Sequence, residues 1–428
     1  MSLSLALATV FVLCLLLSIP VAVSLGVASL FTIIRGEILP LAEMAKASYT
    51  AVDSFPLLAI PLFILAGTLM QKGGLTDKIV DFARSLVGRS TGGLATVTIL
   101  GCTLFAAISG SGPATTAAIG TILIGPMIKE GYDKDFAGAL TASAGGIGIV
   151  IPPSIPMIIY GVTAQVSITK LFLAGFIPGI LLAIFLFGAS YTFCKKHHYV
   201  GTGEKFSVRG VVKAARDSVW ALFAPIIILG GIYSGVFTVT EAAVVAVFYS
   251  LLTGFLIYKK LNFKELLDGL TYATRVTGVV LLILGASGVF GRLIAVLQIP
   301  QAVSSGLLAI TDNPILLLLL IEVFLIFVGM WMETLTQIII LVPIFLPVVQ
   351  ALGVDPIHFG IIVVVACEIG FETPPLGVNL FVAQEISGSS LEGISKRAIR
   401  FTGAEIAALT LVTVIPIISL FLPNLMGF

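Results

Sequence analysis

Long apolar runs fill most of the chain, and short groups of small, polar and proline residues break them twice in each half. The first half carries SGSGP over residues 109–113 and GGIGIVIPPS over 145–154, and the second carries MWMETLT over 330–336 and GFETPPLG over 370–377. Backbone freed at membrane depth must be satisfied by protein, water or ions. Matching breaks in two halves therefore predict an internal repeat with a substrate and ion site near the bilayer midplane, as in secondary transporters.

The lengths of the apolar runs predict the helices. A spanning helix needs about 20 apolar residues. We expect single spanning helices at 2–34, 54–71, 171–194, 218–237, 239–258, 276–298 and 402–425. Residues 92–128 and 314–352 each hold two shorter pieces and predict re-entrant hairpins, whereas 136–166 and 357–386 each cross once with a central break. This makes nine crossings, with amphipathic stretches at 75–87 and 300–309.

Composition confirms the membrane class before any chemistry is considered. Hydrophobic residues make up 58% of the 428 residues and charged residues only 11%, against roughly 25% charged in soluble domains. The net charge of +1 gives no reason to expect a nucleic-acid partner. The four cysteines are scattered without CxxC spacing, so we assign no disulfide and no transition metal. The first run is too long for a signal peptide and predicts a retained helix.

Basic residues predict the orientation. With the N-terminus in the cytoplasm and the C-terminus in the periplasm, all lysines and arginines except Arg35, Lys46, Lys170 and Arg292 fall on the cytoplasmic side, as the positive-inside rule requires. The first hairpin then enters from the cytoplasm and the second from outside. The two halves are therefore predicted to be inverted repeats.

Several segments resemble the large membrane subunit of the tripartite ATP-independent periplasmic (TRAP) transporters. They are SGSGPATTAAIG from Ser109, ASAGGIGIVIPPSIPMIIYG from Ala142, METLTQIIILVPIFLP from Met332 and GFETPPLGVNLFV from Gly370. The resemblance covers essentially the whole chain. It leans toward the sialic-acid members, with the C4-dicarboxylate members next.

The resemblance implies a mechanism, a location and partners. It implies sodium-driven uptake of an organic acid across the bacterial inner membrane, with sodium as the coupling ion and no other cofactor. A periplasmic binding protein would deliver the acid, and a small four-helix membrane subunit would complete the scaffold. Because Met1 leads directly into the first helix, that subunit is expected to be separate. The fold would resemble the divalent-anion sodium symporters, which work as elevators.

An elevator needs a scaffold and a moving transport domain. We expect scaffold helices and an arm at 1–91, the first half of the transport domain at 92–167, and further scaffold with a second arm at 168–312. The second half of the transport domain would occupy 313–387, and a C-terminal helix 388–428.

Discontinuous helices expose carbonyls that can bind sodium and amides that can receive a carboxylate. The candidate sodium ligands, taken from the hairpin tips and the facing breaks, are Ser109, Gly110, Ser111, Gly112, Gly145, Gly148, Pro152, Met332, Glu333, Thr334, Gly370, Thr373 and Gly377. The candidate substrate-binding residues are Ser154, Thr336, Asn379 and Arg292. The alternative for the glycines is tight helix packing, and for Arg292 it is snorkelling to the interface.

Buried acids in membrane segments are functional hypotheses. Glu333 and Glu372 lie at the second-half breaks and are candidates for binding sodium, holding the tip or carrying protons. Glu322, Glu368 and Glu385 lie on flanking helices, where structural hydrogen bonds are the favoured interpretation.

Three other classes of protein remain as alternatives. The sequence GASG at 285–288 matches the pattern around the serine of some intramembrane proteases, but that chemistry needs a nearby histidine base, and the spanning segments place none at the midplane. A passive channel would explain the polar breaks but not two hairpins facing opposite sides. A stand-alone sodium/carboxylate symporter would share the same sites. We therefore expect a transporter and not an enzyme.

Overall fold

The computed structural model describes residues 2–199, 201 and 206–427, and all regular elements in these residues are helical. The helices are α1 Leu3–Leu16, α2 Val21–Gly36, α3 Leu41–Val52, α4 Ala59–Lys72, α5 Leu75–Val87, α6 Gly93–Ser109, α7 Gly112–Lys129, α8 Lys134–Val150, α9 Ile155–Ala164, α10 Ile168–Lys196, α11 Val208–Asp217, α12 Val219–Tyr233, α13 Val239–Leu252, α14 Phe263–Val296, α15 Ile299–Leu308, α16 Pro314–Gly329, α17 Thr334–Ala351, α18 Pro356–Phe371, α19 Val378–Ser387, α20 Leu391–Val414 and α21 Ile417–Leu425. A 3-10 turn, Phe55–Leu58, leads into α4, and a π turn, Thr253–Ile257, continues α13.

Two of the predicted single helices are wrong. The run 2–34 forms α1 and α2, which pack against each other, because Ser18 takes a left-handed conformation and Pro20 starts the next helix. The C-terminal segment 388–428, described as far as residue 427, forms α20 and α21, bent by 59° at the residues before Ile417. By length and composition, five helices in the described part of the chain can cross a membrane, or eight if each bent pair counts as one span. The nine crossings predicted from the sequence counted the run 2–34 as one spanning helix.

Elements α4–α10 and α14–α20 follow the same order. Each series has a long helix, a short amphipathic helix, a hairpin, a helix broken in the middle and a second long helix. The hairpins are α6–α7 and α16–α17, and the broken helices are α8–α9 and α18–α19. Both breaks contain a cis proline bond, Pro152-Pro153 and Pro374-Pro375. The fold is the predicted all-α polytopic membrane fold, with inverted repeats, two re-entrant hairpins and two discontinuous helices.

The two repeats interlock around their broken helices. The short helix α9 packs against α17 of the other repeat, and α19 packs against α7. Helix α8 is buried from Phe136 to Val150, and α18 from Ile357 to Phe371. Small residues let these helices approach closely, which is the main device for helix association in membranes. The broken helices therefore form the centre of the molecule.

Polar contacts attach the last two helices to the second repeat. The Glu322 carboxylate on α16 accepts hydrogen bonds from Thr410 and Thr413 on α20, at 3.2 and 2.8 Å. The ring Nδ1 of His358 on α18 lies 2.7 Å from the Ser419 hydroxyl on α21. The predicted structural role of Glu322 is confirmed, whereas Glu385 is exposed.

Candidate functional site

The first hairpin tip is a short turn closed by its own hydroxyls. Gly110 ends α6 in the left-handed conformation, with φ of 63°, and Ser111 begins α7 in an extended one. The hydroxyl oxygens of Ser109 and Thr115 lie 2.6 Å apart, and Thr115 donates to the Ser111 carbonyl at 2.8 Å. Local hydrogen bonds thus concentrate several oxygens at the point where α7 begins.

This tip lies directly against the break between α8 and α9, as the sequence predicted. The Ile155 amide donates to the Gly110 carbonyl at 3.3 Å. A methyl group at Gly148 would lie 2.8 Å from the Ser111 carbonyl oxygen, and one at Gly145 would overlap the Thr116 hydroxyl. These glycines therefore serve close packing, and the same packing brings the predicted first-site residues together.

Pro152 and Ser154 lie in the break itself. Ser154 is fully buried, and its hydroxyl accepts a hydrogen bond from the Met157 amide at 3.3 Å. That is the role of a helix N-cap. The predicted substrate-binding residue Ser154 is thus also the residue that begins α9.

The second tip meets the break between α18 and α19. The Leu376 amide donates to the Met330 carbonyl at 3.0 Å, and the side-chain amide of Gln337 donates to the Met332 carbonyl at 3.3 Å. Gly329 and Gly370 make backbone contact, since a methyl group at Gly370 would lie 2.6 Å from the Gly329 Cα. The second hairpin is therefore held against its break by backbone packing.

The remaining residues predicted for the second site lie in different surroundings. Thr334 donates to the Glu368 carboxylate at 3.4 Å, and Thr373, just beyond the end of α18, donates to the Ile369 carbonyl of that helix at 2.7 Å. Glu333 precedes α17 and makes no side-chain capping bond. Gly377 begins α19 in the left-handed conformation, with φ of 49°.

Asn379 joins the two sites. Its amide nitrogen is close to three acceptors, at 3.1 Å from Glu368 Oε1, 2.9 Å from Glu372 Oε1 and 3.4 Å from the Ala142 carbonyl of α8. A methyl group at Gly112 would overlap the Glu368 carboxylate. The structure therefore uses Asn379 to hold the two repeats together, and its amide donors face carboxylates rather than an open cavity.

Sequence reasoning missed Glu405 on α20. Its buried side chain lines the same small cavity as Glu368 and Glu372. The spacing of Glu368 and Glu372, one helical turn apart, is a signal for an acidic cluster. Nothing in the apolar pattern of α20 indicates that it supplies the third member.

Several buried side-chain oxygens around the tips and breaks have no hydrogen-bond partner among the described residues. They include the hydroxyls of Thr116 and Thr336, the side-chain carbonyls of Gln337 and Asn379 and one carboxylate oxygen of Glu372. In the same residues, no group of three or more His, Cys, Asp or Glu side chains is arranged to hold a metal ion. Hydroxyl, amide and backbone oxygens are hard ligands, which suit a cation such as sodium. Gln337 was not among the predicted ligands.

A cavity of about 420 Å³ is lined by the first tip and by helices α4 and α14. Ser109 and Ser111 face it from the tip. Its polar residues on the long helices are Thr68, Gln71, Lys72, Asp268 and Tyr272. A second cavity, of about 540 Å³, lies between α3, α9, α14 and α17. None of the five polar residues on α4 and α14 was among the predicted site residues.

Arg292 lies on α14 and contacts α3. Its guanidinium pairs with the Glu43 carboxylate of α3 at 3.5 Å, and its side chain is 55% exposed. The structure therefore groups this predicted substrate-binding residue with α3 and α14 rather than with the hairpin tips.

Two hairpins that meet two broken helices at the centre of a polytopic helical fold define a membrane transporter. The family description "Tripartite ATP-independent periplasmic transporter, DctM component" matches residues 8–418. The chain belongs to this TRAP transporter family, as predicted. It is therefore a multi-pass inner-membrane permease subunit and not an enzyme, which excludes the intramembrane protease.

The names of three similar proteins mention three different substrates. The chain is 42% identical to the isethionate TRAP transporter permease DctMQ of Oleidesulfovibrio alaskensis, over 96% of this chain and 65% of that protein. It is 39% identical to the C4-dicarboxylate large permease DctM of Pseudomonas aeruginosa, over 94% of each. It is 40% identical to the sialic acid large permease SiaM of Vibrio cholerae, over 89% of each.

A solved structure shares the fold. The chain is similar to the YdaH transporter of Alcanivorax borkumensis, with a TM-score of 0.65 over 96% of this chain and 98% of that chain. The two sequences are 14% identical, so this likeness concerns the fold alone.

Proposed function

We propose that this chain is the membrane subunit that carries an organic acid into the cell, driven by sodium. The observation that carries the proposal is the pair of hairpin tips packed against helix breaks, with the unpartnered oxygens of Thr116, Thr336 and Gln337 buried around them. A buried polar group without a partner costs about 1–3 kcal/mol. Cations bound at the tips would offset that cost.

The proposed substrate is a small organic acid. Isethionate, C4-dicarboxylates and sialic acid, which appear in the names of the relatives, all carry an anionic acid group. The cavity beside Ser109 and Ser111 has room for such a molecule. The sequence resemblance favours sialic acid, and the 42% identity to the isethionate relative favours isethionate, so uptake assays must compare the three.

The proposed partners are a small four-helix membrane subunit and a periplasmic binding protein. The family description, which names a tripartite periplasmic transporter, supports this arrangement. The proposed orientation keeps the N-terminus in the cytoplasm. A stand-alone symporter remains the competing function, because it would use the same tips and cavity.

Reconstitution tests these proposals. Proteoliposomes that contain this chain, the small subunit and the loaded binding protein should accumulate N-acetylneuraminate, succinate or isethionate only with an inward sodium gradient. Uptake that needs no sodium in any combination would contradict sodium coupling. Saturable sodium-driven uptake of free substrate by this chain alone would contradict the tripartite arrangement and support the symporter.

We also propose that the hairpins and broken helices move as one domain against α4 and α14. The interlocked packing of α7 with α19 and of α9 with α17 supports one rigid block. The polar contacts of α20 and α21 with α16 and α18 support placing the C-terminal helices in that block as well. This extends the moving segments predicted at 92–167 and 313–387.

A cross-link tests this motion. In a background without native cysteines, Thr68→Cys on α4 and Phe105→Cys on α6, which face the same cavity, are linked with a short bismaleimide. The link should stop transport. A matched control joins Ser48→Cys on α3 to Gly285→Cys on α14, where a Cβ at 285 would lie 3.9 Å from that of Ser48. Full turnover with the first link in place would contradict the moving block.

A further inference from the structure

Helix α4 leads from the first tip along the wall of the cavity. It touches the tip at Gly67, where a methyl group would lie 3.4 Å from the Ser109 Cα. Thr68, Gln71 and Lys72 follow on the cavity side of the same helix, because residues three and four apart share a face. Lys72 lies about 7.5 Å further along the helix axis than Gly67. A molecule that leaves the tip along this wall therefore meets the Lys72 ammonium.

Lys72 is the only cation, and Asp268 the only anion, among the described residues that line this cavity. Their charged atoms lie 3.6 Å apart, and the side chains are 33% and 56% exposed. Exposed ion pairs of this kind contribute little net stability. A second anion can therefore replace Asp268 at Lys72 at small cost.

The other cavity offers a contrast. Its lining on α3, α9, α14 and α17 includes Thr50, Ser54, Thr163, Gln165 and Ser287, and no charged side chain among the described residues. The charge pair thus belongs to one side of the transport path alone. With the predicted orientation, that is the cytoplasmic side, because Lys72 ends α4 there.

We infer that Lys72 receives the acid group of the transported anion on the cytoplasmic side by displacing Asp268. This inference rests on the proposed function and adds two residues that determine the rate of release. The Ser111 hydroxyl, Gln71 and Tyr272 supply polar contacts between the tip and Lys72, while Ile64, Phe105 and Val276 form the apolar wall.

Lys72 should affect the rates of anion influx and efflux, but not the extent of anion accumulation. A cation in the cavity lowers the barrier between the tip and the cytoplasm equally in both directions, because it changes neither the sodium gradient nor the number of ions coupled to each anion. Its loss should therefore slow influx and efflux by the same factor. The steady-state ratio of internal to external anion should not change.

The test uses the three-component proteoliposomes with labelled N-acetylneuraminate, succinate and isethionate as parallel probes. Lys72→Gln should slow initial influx and efflux by about two- to fivefold, the usual contribution of an exposed charge, at unchanged accumulation. Lys72→Arg should restore the rates. Asp268→Asn should leave Lys72 free, so that internal anion inhibits influx at a lower concentration.

The matched control is Lys129→Gln. Lys129 is exposed at the end of α7, and it is not part of the cavity lining. Equal slowing by this control would show a general effect of surface charge and overturn the inference. Wild-type rates for Lys72→Gln in both directions would overturn it, and so would a changed accumulation ratio. Absence of sodium-driven uptake by the wild type would instead refute the proposed function.

Discussion

Replacing Gly148 with alanine tests whether the first tip and its break form a cation site. The new methyl group would lie 2.8 Å from the Ser111 carbonyl oxygen and would also overlap the Thr115 hydroxyl. Ordinary van der Waals contact begins at 3.4 Å, so the Ser111 carbonyl must withdraw by about 0.6 Å and the Thr115 hydroxyl by about 1.0 Å. A shift of this size at oxygens that bind a cation weakens the bound state.

The expected loss follows from the cost of overpacking, which is about 1–3 kcal/mol. If about 1.4 kcal/mol of it falls on the sodium-bound state, the apparent KM for sodium rises about tenfold. The assay measures uptake at saturating substrate over a range of sodium concentrations, and thermal unfolding in detergent separates a local effect from a loss of fold.

Gly125→Ala is the matched control for this experiment. Gly125 lies on α7, and a methyl group there meets no atom within 4 Å. The control should keep the wild-type KM for sodium, and its thermal stability should not fall, since alanine favours the helix. The reasoning is refuted if Gly148→Ala keeps the wild-type sodium dependence, or if both variants raise the apparent KM equally.

Three further predictions concern contacts, charge and orientation. Thr413→Val should lower the free energy of unfolding by about 1–3 kcal/mol, since it leaves one Glu322 oxygen unpaired, and thermal unfolding in detergent measures the loss. Arg292→Gln should change sodium-driven uptake less than twofold, because the guanidinium pairs with a residue of α3 at an exposed position. Lys129→Cys should react with an impermeant maleimide only from the cytoplasm, and Asp312→Cys only from outside.

Each of these predictions has an outcome that would contradict it. Thr402→Val on α20 removes a hydroxyl that bonds only to its own helix at Ala398, and equal destabilisation would show that the contact with α16 is unimportant. Loss of uptake in Arg292→Gln would restore its predicted role in substrate binding. Labelling of both cysteines from the same side would exclude inverted hairpins.

The sequence predicted the hairpins and the broken helices because their signals are local. Gly110 and Pro152 interrupt apolar runs that otherwise continue, and backbone freed in a membrane needs a partner close by. The break at Ser18 was missed, because one left-handed residue before Pro20 hardly changes the apolar pattern. The bend before Ile417 was missed for the same reason, although Pro416 marks it.

The candidate site was predicted less completely, since its parts come from distant segments. The pairing of Asn379 with Glu368 and Glu372 joins residues on either side of one break and was within reach of the sequence. The contact of Arg292 with Glu43, and the ion pair of Lys72 with Asp268 beside a cavity, depend on how separate helices pack. Periodicity and composition carry no information about such pairs.

The crossed packing of α9 with α17 and of α19 with α7 has a consequence for biogenesis. The ribosome completes α7 long before it makes α19, so the first hairpin must enter the membrane before its packing partner exists. During that interval its polar tip lacks a complete protein environment. In a nascent chain that stops before α19, the tip remains incompletely surrounded by protein. The first hairpin therefore reaches its final burial only after most of the chain has been translated, and assembly of the centre is a late event.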